Sequence, residues 1–407
     1  MRWPTFLMLA ALGACVSSTG NGVEVGTHRV GDTGVGTETS VVSDGWSTAA
    51  THSENASTSV ESTSVTLLVP LERSISILAT GDVLPEGPVI AAAAIEGGFD
   101  FARLFEPVGA LVAGVDLAIC HLEIPIVDEG GDHGTIGRSP YGGNQLAAPH
   151  ELADGLARVG FDRCSTASNH ADDLAMDGVR STLDALDAVG IGHSGTARSA
   201  EEATMWTQDV AGVSVAHLSY TTYSNNRSLS DEWALRLSPS ASDIATDVRT
   251  ARDSGAEVVI VSLHVSREMD SEPSWGDRRL VEEFTAFSDV DLVVMHGPHV
   301  VQPVETVNGA LVYWSLGNFV SGMGRSGSGE YEDPRTLDGV VARVTIEVSQ
   351  NGANVVDHAA VLVCTDPMSR RVHPATTTLA STAVPESLRR TVEQCFGRSV
   401  AVIPDLR

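Results

Sequence analysis

Residues 291–299, Asp291-Leu292-Val293-Val294-Met295-His296-Gly297-Pro298-His299, join an apolar run to a turn that carries two histidines. The run at 292–295 predicts a short buried strand. The Gly-Pro pair after it predicts a turn that holds the two imidazoles close together. An isolated pair of histidines in a loop is more often structural than functional. The meaning of this stretch therefore depends on similar stretches elsewhere in the chain.

Polar residues that bind metals or move protons follow apolar strands at four other places. They are Gly81-Asp82, His121-Leu122-Glu123, Ser168-Asn169-His170 and His264. Because ligand crevices of open α/β sheets lie at the carboxyl ends of the strands, these groups are expected to converge at one edge. Alone, Gly81-Asp82 is compatible with a turn and Glu123 with a solvated loop. Asn169 is compatible with a helix cap and His264 with a core histidine.

The five motifs together favour a site that binds metal ions. They offer two carboxylates, an amide oxygen and several imidazoles, without a thiolate. This donor set suits divalent Mn, Fe or Zn. Two such ions, sharing a bridging carboxylate, would activate water and bind an oxygen of a phosphoryl or carbonyl group.

Alternating apolar runs and amphipathic segments predict an α/β fold from residue 71 onward. The predicted strands are 75–79, 116–120, 163–167, 213–219, 258–263, 292–295 and 311–315, and the predicted helices are 152–159, 178–189, 242–253 and 276–288. Residues 340–348 and 355–364 flank Gln350-Asn351-Gly352 and predict an antiparallel hairpin. Sequential βα units followed by returning strands fit a layered sandwich better than a doubly wound sheet.

The first 70 residues have the character of an export signal and a tether. Arg2, a short apolar run at 6–12 and Leu12-Gly13-Ala14-Cys15 predict a lipoprotein signal peptide at 1–14 with lipidation at Cys15. A plain cleaved signal is the alternative. Residues 15–70 are rich in Ser, Thr and Gly and predict a disordered tether, with a small β-module as the alternative.

The amino-acid composition argues against nucleic-acid partners and leaves the pairing state of some cysteines undecided. The net charge is −28 over 407 residues, and all 25 of the Lys and Arg residues are Arg. Such a charge argues against nucleic-acid binding, because polyanions are repelled. Cys364 and Cys395 are candidates for a disulfide in an exported protein, whereas Cys120 and Cys164 are equally compatible with a disulfide and with buried thiols.

The motifs in their order resemble the CapA family of poly-γ-glutamate capsule proteins. The matching residues are Gly81-Asp82, Leu122-Glu123, Asn169-His170 with Asp173, His264 with Glu268, His296 to Pro303, and Trp314 to Phe319. The resemblance covers about 250 residues. It implies a calcineurin-like, metallo-dependent phosphatase-like domain at 71–321, built as a four-layer α/β/β/α sandwich. Residues 322–407 are expected to complete this domain or to pack on it.

The resemblance also implies roles for individual residues. The implied metal ligands are Asp82, Glu123 as the bridge, Asn169, His264, His296 and His299. His170 would protonate the leaving group while Asp173 orients it. Glu268 would support the ligands, and Asn318 is expected either to line the site or to be a turn residue. Arg138 and Arg267 are candidates both for holding an anionic substrate and for surface salt bridges.

Three departures from the family pattern affect the site. His121 replaces an asparagine and is interpreted as an added ligand, an altered supporting residue or a neutral change. Residues 264–268 lack the family's aromatic-glycine pair, and Gly297 stands where the family has another imidazole. Six other histidines match no motif and are interpreted as structural: His133, His150, His193, His217, His358 and His373.

The sequence thus predicts an exported, lipid-anchored, metal-dependent hydrolase of the cell envelope. Its substrate would be a capsule polymer or a phosphoester, and a membrane polymer synthase is an expected partner. One alternative is a non-catalytic envelope component that binds the polymer or its synthase. Another is a secreted phosphoesterase of broad specificity.

Overall fold

The structure is a computed structural model, and it describes residues 72–203, 206–324 and 332–407. The predicted signal peptide, Cys15 and the tether lie outside these residues. Among the helices that the structure describes, none combines the length and the apolar character needed to cross a bilayer.

The secondary structure alternates strands and helices through most of the chain. The strands are β1 (Arg73–Leu84), β2 (Ala94–Ile95), β3 (Gly98–Phe99), β4 (Leu117–Leu122), β5 (Gly134–Arg138), β6 (Asn144–Ala147), β7 (Arg163–Ser165), β8 (Gly192–Ser194), β9 (Trp206–Val210), β10 (Val213–Thr221), β11 (Val258–His264), β12 (Leu292–His296), β13 (Val304–Val307), β14 (Ala310–Tyr313), β15 (Asn318–Ser321), β16 (Asp338–Ser349), β17 (Gly352–Thr365) and β18 (Val372–Pro374). The α-helices are α1 (Gly87–Ala93), α2 (Ala102–Phe105), α3 (Gly109–Val112), α4 (Glu151–Val159), α5 (Ala175–Ala188), α6 (Ala241–Asp253), α7 (Trp275–Ala286), α8 (Ala375–Ala380) and α9 (Glu386–Ser399), and 3-10 turns cover Glu106–Val108 and Pro334–Leu337.

Two large sheets form the centre of the fold. The first has the order β18-β17-β16-β1-β4-β7-β8, with β15 also paired to β1. Its strands β1, β4, β7 and β8 are parallel, whereas β16 to β18 are antiparallel additions. The second sheet has the order β13-β14-β12-β11-β10-β9, and its strands β10, β11, β12 and β14 are parallel.

Apolar cores separate these sheets and helices into four layers. Ile77 of the first sheet and Ile260 of the second belong to the core between the sheets. The next residue, Leu78, points to the opposite face and packs with Leu152 and Leu183 of α4 and α5. On the outer face of the second sheet, helices α6 and α7 pack in a third core. The predicted α/β/β/α sandwich is therefore confirmed.

Most of the predicted elements are confirmed, with shifted ends. The strand predicted at 75–79 is the clearest difference, because β1 continues to Leu84. It does so because Asp82, Val83 and Leu84 also pair with β15, a long-range contact that local pattern does not reveal. The predicted hairpin is present as β16 and β17.

Strands β16 to β18 of the C-terminal region extend the first sheet. Strand β16 pairs with β1 from Arg73 to Ala79, so the hairpin completes this sheet. Helix α9 is held onto it by a disulfide between Cys364 and Cys395. Cys120 and Cys164, which lie opposite each other in β4 and β7, form a second disulfide.

Candidate metal centre

The carboxyl ends of the parallel strands in both sheets meet at one edge of the sandwich. In the first sheet, Asp82 of β1 lies beside His121 of β4 and Asn318 of β15. In the second sheet, His264 of β11 lies beside His296 of β12. The strands thus bring together residues that are more than 200 positions apart in the sequence, as the crevice rule for α/β sheets predicts.

Two glycines allow the chain to approach closely at this edge. A Cβ at Gly81 would lie 2.1 Å from the carbonyl oxygen of Gly317. Gly297 has a φ of +99°, and a Cβ there would lie 2.2 Å from the carbonyl oxygen of Val265 and 3.0 Å from His264 Nε2. Any other residue at 297 would therefore be strained and would push His264 aside. This glycine explains why the tight His296–His299 turn is possible.

Asp82 is the centre of the cluster. Its Oδ1 lies 3.3 Å from His296 Nδ1, and its Oδ2 lies 3.1 Å from His299 Nδ1. His299 Nε2 in turn lies 3.7 Å from Glu123 Oε1. At this edge, two sets of side chains have the compactness of a metal site, Asp82 with His121 and His296, and Asp82 with Glu123 and His299. Asp82 belongs to both sets, and the bridging role that the resemblance gives to Glu123 stays a prediction.

Several buried polar atoms of the predicted ligands lack a hydrogen-bond partner among the described residues. They are Asp82 Oδ1, Glu123 Oε1 and Oε2, Asn169 Oδ1, His264 Nε2 and His296 Nδ1. Buried polar groups in folded proteins are nearly always paired, so this many unpaired acceptors in one place indicate a missing partner. Because carboxylate, amide and imidazole donors suit divalent Mn, Fe or Zn, the residues fit a metal site.

The charges within the cluster depend on one another. Burial alone would raise the pKa of Asp82, but contacts with His296 and His299 hold it well below its usual value. Burial raises the pKa of Glu123 well above its usual value. Burial lowers the pKa of His264 to about 3, so this imidazole is neutral at physiological pH. A neutral imidazole is the form that binds a metal.

The predicted general acid is held by its predicted partner. His170 Nδ1 lies 2.6 Å from Asp173 Oδ2. The same Asp173 oxygen accepts the backbone N–H of Leu146, and its other oxygen accepts the side-chain amide of Asn226. With Asp173 fully hydrogen-bonded, His170 is fixed with its Nε2 facing away from the carboxylate.

Of the predicted supporting residues, Asn318 lines the site. It is buried, and its Oδ1 lies 3.0 Å from His299 Nδ1 while its amide donates to the carbonyl of Thr336. It is the first residue of β15, so the alternative interpretation of it as a turn residue is wrong.

The remaining supporting residues are exposed. Glu268 is exposed but its charge still raises the pKa values of both Glu123 and His299. Arg267 forms an ion pair with Asp270, and Arg138 donates to the carbonyl of Gly142 within its own hairpin. A role for either arginine in holding an anion stays a prediction.

Sequence reasoning missed two residues near the site. Asn225 Nδ2 lies 3.3 Å from His170 Nε2, and its backbone N–H donates to the carbonyl of Asn169. It follows β10 as the predicted ligands follow their strands, and the same rule applied to β10 finds it. Glu86 is half-buried. Burial raises its pKa above the usual value, although the nearby His299 and His170 act in the opposite direction. Its carboxylate accepts the N–H of Gly322.

The chain matches a known protein family over more than half of its length. Residues 76–323 match the family model described as bacterial capsule synthesis protein PGA_cap. The chain belongs to this family. Among its relatives, the PGA biosynthesis protein CapA of Bacillus subtilis (strain 168) is 32% identical over 176 residues, which are 42% of this chain and 45% of that protein. The capsule biosynthesis protein CapA of Bacillus anthracis is 26% identical over 217 residues, 52% of this chain and 50% of that protein.

This PGA_cap protein spans about half the length of the curated relatives that it matches. Two solved structures are also similar at a distance. The calcineurin-like phosphoesterase YfkN from Bacillus subtilis has a TM-score of 0.41 and 11% identity, covering 81% of this chain and 98% of that one. A 5'-nucleotidase precursor from Thermus thermophilus has a TM-score of 0.40 and 13% identity, covering 81% of this chain and 59% of that one. Similarity this distant says nothing about the activity of the PGA_cap protein.

Proposed function

We propose that this protein is a metal-dependent hydrolase of capsule biosynthesis, and that it cleaves a phosphoester. The observation that carries the proposal is the convergence of unpaired, buried carboxylate, amide and imidazole atoms from both sheets beside a histidine-aspartate pair. A purely structural cluster would not leave these atoms without partners. Membership of the PGA_cap family supports the link to capsule synthesis.

Different residues of the site would have different roles in hydrolysis. A bound divalent cation supplies Lewis-acid activation of water and of a phosphoryl oxygen. Asp82, Glu123, Asn169, His264, His296 and His299 would hold it. His170 then donates a proton from Nε2 to the leaving oxygen as the bond between that oxygen and phosphorus breaks. Asp173 keeps the proton on Nδ1 and holds the ring in place. Water supplies the oxygen that replaces the leaving group.

We propose that the protein lies at the cell envelope, outside the cytoplasm, and acts with a partner in the membrane. The signal-like first 14 residues and Cys15 support export and lipid anchoring at the cell envelope. The two disulfides agree with an oxidising compartment. A membrane polymer synthase is the proposed partner and the capsule polymer or its precursor the proposed substrate. With a net charge of −28, the protein would bind a polyanionic polymer at the metal site, not over its general surface.

The test combines metal content, stability and turnover of the purified full-length protein. Mn²⁺, Fe²⁺ and Zn²⁺ are titrated into metal-free protein, and turnover is measured with aryl and alkyl phosphodiesters, an aryl phosphomonoester and a γ-glutamyl anilide. We expect tight binding of at least one ion, a higher unfolding temperature with metal, and phosphoester hydrolysis. His264→Ala should weaken metal binding, whereas His170→Ala should keep the metal and lose turnover.

Each contrary result has a defined meaning. Folded protein that binds none of the three ions would contradict the metal site. Stoichiometric binding without turnover of any of these substrates would contradict the hydrolase and favour a binding component of the envelope. Cleavage of the γ-glutamyl anilide alone would replace the phosphoester by an amide substrate.

A further inference from the structure

His121 differs from its neighbours in the cluster because both of its ring nitrogens have partners. Nδ1 lies 2.8 Å from Ser165 Oγ, and Nε2 lies 3.0 Å from His264 Nδ1. Both distances are those of hydrogen bonds. In contrast, His264 Nε2 has no hydrogen-bond partner among the described residues. His121 therefore has no free lone pair to offer a metal ion, although it lies close enough to Asp82 and His296 to be mistaken for a ligand.

The contact between His121 and His264 requires a definite arrangement of protons. A neutral imidazole carries one N–H and one lone pair, so one of the two facing nitrogens must donate to the other. If His121 Nε2 donated, the proton of His264 would sit on Nε2, a buried atom without an acceptor among the described residues. If His264 Nδ1 donates, its Nε2 carries a lone pair instead. Buried N–H groups without an acceptor are rarer than buried lone pairs without a donor, and a cation satisfies the lone pair.

The rest of the hydrogen-bond chain is consistent with the second arrangement. His121 Nδ1 then carries its proton and donates it to Ser165 Oγ. Ser165 Oγ in turn donates to the carbonyl of Cys120 at 3.4 Å, so each donor in the chain has an acceptor. The ring of His121 is also fixed in position, because it stacks on His296 with a centroid distance of 3.9 Å and an interplanar angle of 11°.

We propose that His121 is a positioning residue: it accepts the Nδ1–H of His264 and thereby directs the Nε2 lone pair of His264 toward the metal ion. The inference rests on the proposed metal site and deepens it. Ligating histidines usually donate their second N–H to a carboxylate, a carbonyl or water. Here another imidazole is the acceptor, and Ser165 anchors that imidazole.

Metal titration of the full-length protein tests this role. His121→Phe keeps the stacked ring but removes the acceptor, and we expect it to weaken Zn²⁺ and Mn²⁺ binding by about 10- to 100-fold. His121→Gln, which retains an acceptor oxygen, should recover part of the affinity. Ser262→Ala is the matched control, since Ser262 also bonds a buried histidine, His217, and neither side chain has a hydrogen bond to a predicted ligand among the described contacts. It should leave the affinity unchanged.

The protonation state is measured directly in the Zn²⁺-loaded protein with ¹⁵N-labelled histidine. We expect the proton of His264 on Nδ1, and we expect His121 Nε2 to carry neither a proton nor the metal. A metal-bound His121 nitrogen, a protonated His121 Nε2, or unchanged affinity in a folded His121→Phe protein would each overturn the inference. If His121→Phe does not fold, the NMR result on the wild type alone decides. Metal binding without turnover would contradict only the hydrolase proposal and leave this one standing.

Discussion

His170 Nδ1 and Asp173 Oδ2 are 2.6 Å apart at the edge where the two sheets meet, and both side chains are buried. The pair lies three residues apart in a loop that follows β7, beside Asn169, whose amide oxygen lacks a hydrogen-bond partner among the described residues. The proposed proton donor for the leaving group thus lies next to a predicted metal ligand. This relationship makes the acid role of His170 testable separately from metal binding.

Asp173→Asn should reduce turnover while leaving the metal in place. The amide no longer holds the Nδ1 proton of His170, so kcat for an alkyl phosphodiester should fall by about 10²-fold or more. Aryl substrates need less protonation and should be less affected. The measurement is therefore the ratio of kcat for the alkyl substrate to kcat for the aryl substrate, compared between the wild type and Asp173→Asn.

The neighbouring Asp172→Asn provides the control for the Asp173 prediction. Asp172 accepts the hydroxyl of Ser224 and the N–H of Ser228 and so holds the same loop, but among the described contacts it has no hydrogen bond to His170. Its substitution should lower stability without changing the ratio. An equal loss of alkyl and aryl turnover in Asp173→Asn would indicate a structural role for Asp173 instead.

Buried His217 should make stability depend on pH. It accepts from Arg163 Nε and contacts Ser262 Oγ in the core between the sheets, and burial lowers its pKa well below the usual value. The unfolded chain therefore takes up a proton below about pH 6.5 that the folded protein does not. The free energy of unfolding should fall by about 1.4 kcal/mol for each pH unit of acidification in this range from this group alone.

His217→Gln tests the predicted fall in the free energy of unfolding at low pH. Gln offers both a hydrogen-bond acceptor and a donor, but it does not titrate. Urea unfolding between pH 5 and 7 should give a flatter profile for the variant than for the wild type. A steeper profile, or an identical one, would contradict the assignment.

Arg398 should stabilise the attachment of helix α9. Its guanidinium forms two hydrogen bonds to buried Asp338, at 2.7 and 2.5 Å, and burial raises the pKa of Asp338 to about 6. Arg398→Ala leaves that carboxylate buried without its cation, which should cost about 3–5 kcal/mol. Arg390→Ala on the same helix removes an exposed ion pair with Glu386 and should cost less than about 1 kcal/mol. The free energies of unfolding of both variants are measured by chemical denaturation. An equal loss of stability in Arg398→Ala and Arg390→Ala would contradict the prediction.

The disulfide between Cys364 and Cys395 should contribute separately to stability. The two cysteines are 31 residues apart, and cross-links of this length stabilise by roughly 3–4 kcal/mol by restricting the unfolded chain. Replacing both by Ser should therefore lower the urea midpoint under oxidising conditions. Because Cys120 and Cys164 remain paired in this variant, added reductant should destabilise it further. A variant as stable as the wild type would contradict a stabilising role for this disulfide.

The order and kind of the secondary-structure elements follow from local sequence pattern. Apolar runs alternating with amphipathic segments identify β4, β10, β11 and β12 and the helices between them, because burial on one or both faces leaves a local periodic signal. The rule that polar residues after parallel strands converge predicts one location for Asp82, Glu123, His264, His296 and His299, and in the structure these side chains lie in one cluster.

Which atoms come into contact depends on the packing of distant parts of the chain. The extension of β1 to Leu84 depends on β15, more than 230 residues later, and Asn225 reaches His170 through a loop that has no periodic pattern. The difference between His121 and His264 also lies beyond sequence reasoning. Both are histidines at the ends of apolar strands. Only the neighbours of each ring nitrogen show that His121 is partnered on both sides, whereas His264 Nε2 has no hydrogen-bond partner among the described residues. Hydrogen-bond partners are set by three-dimensional packing between distant strands, which local periodicity does not encode.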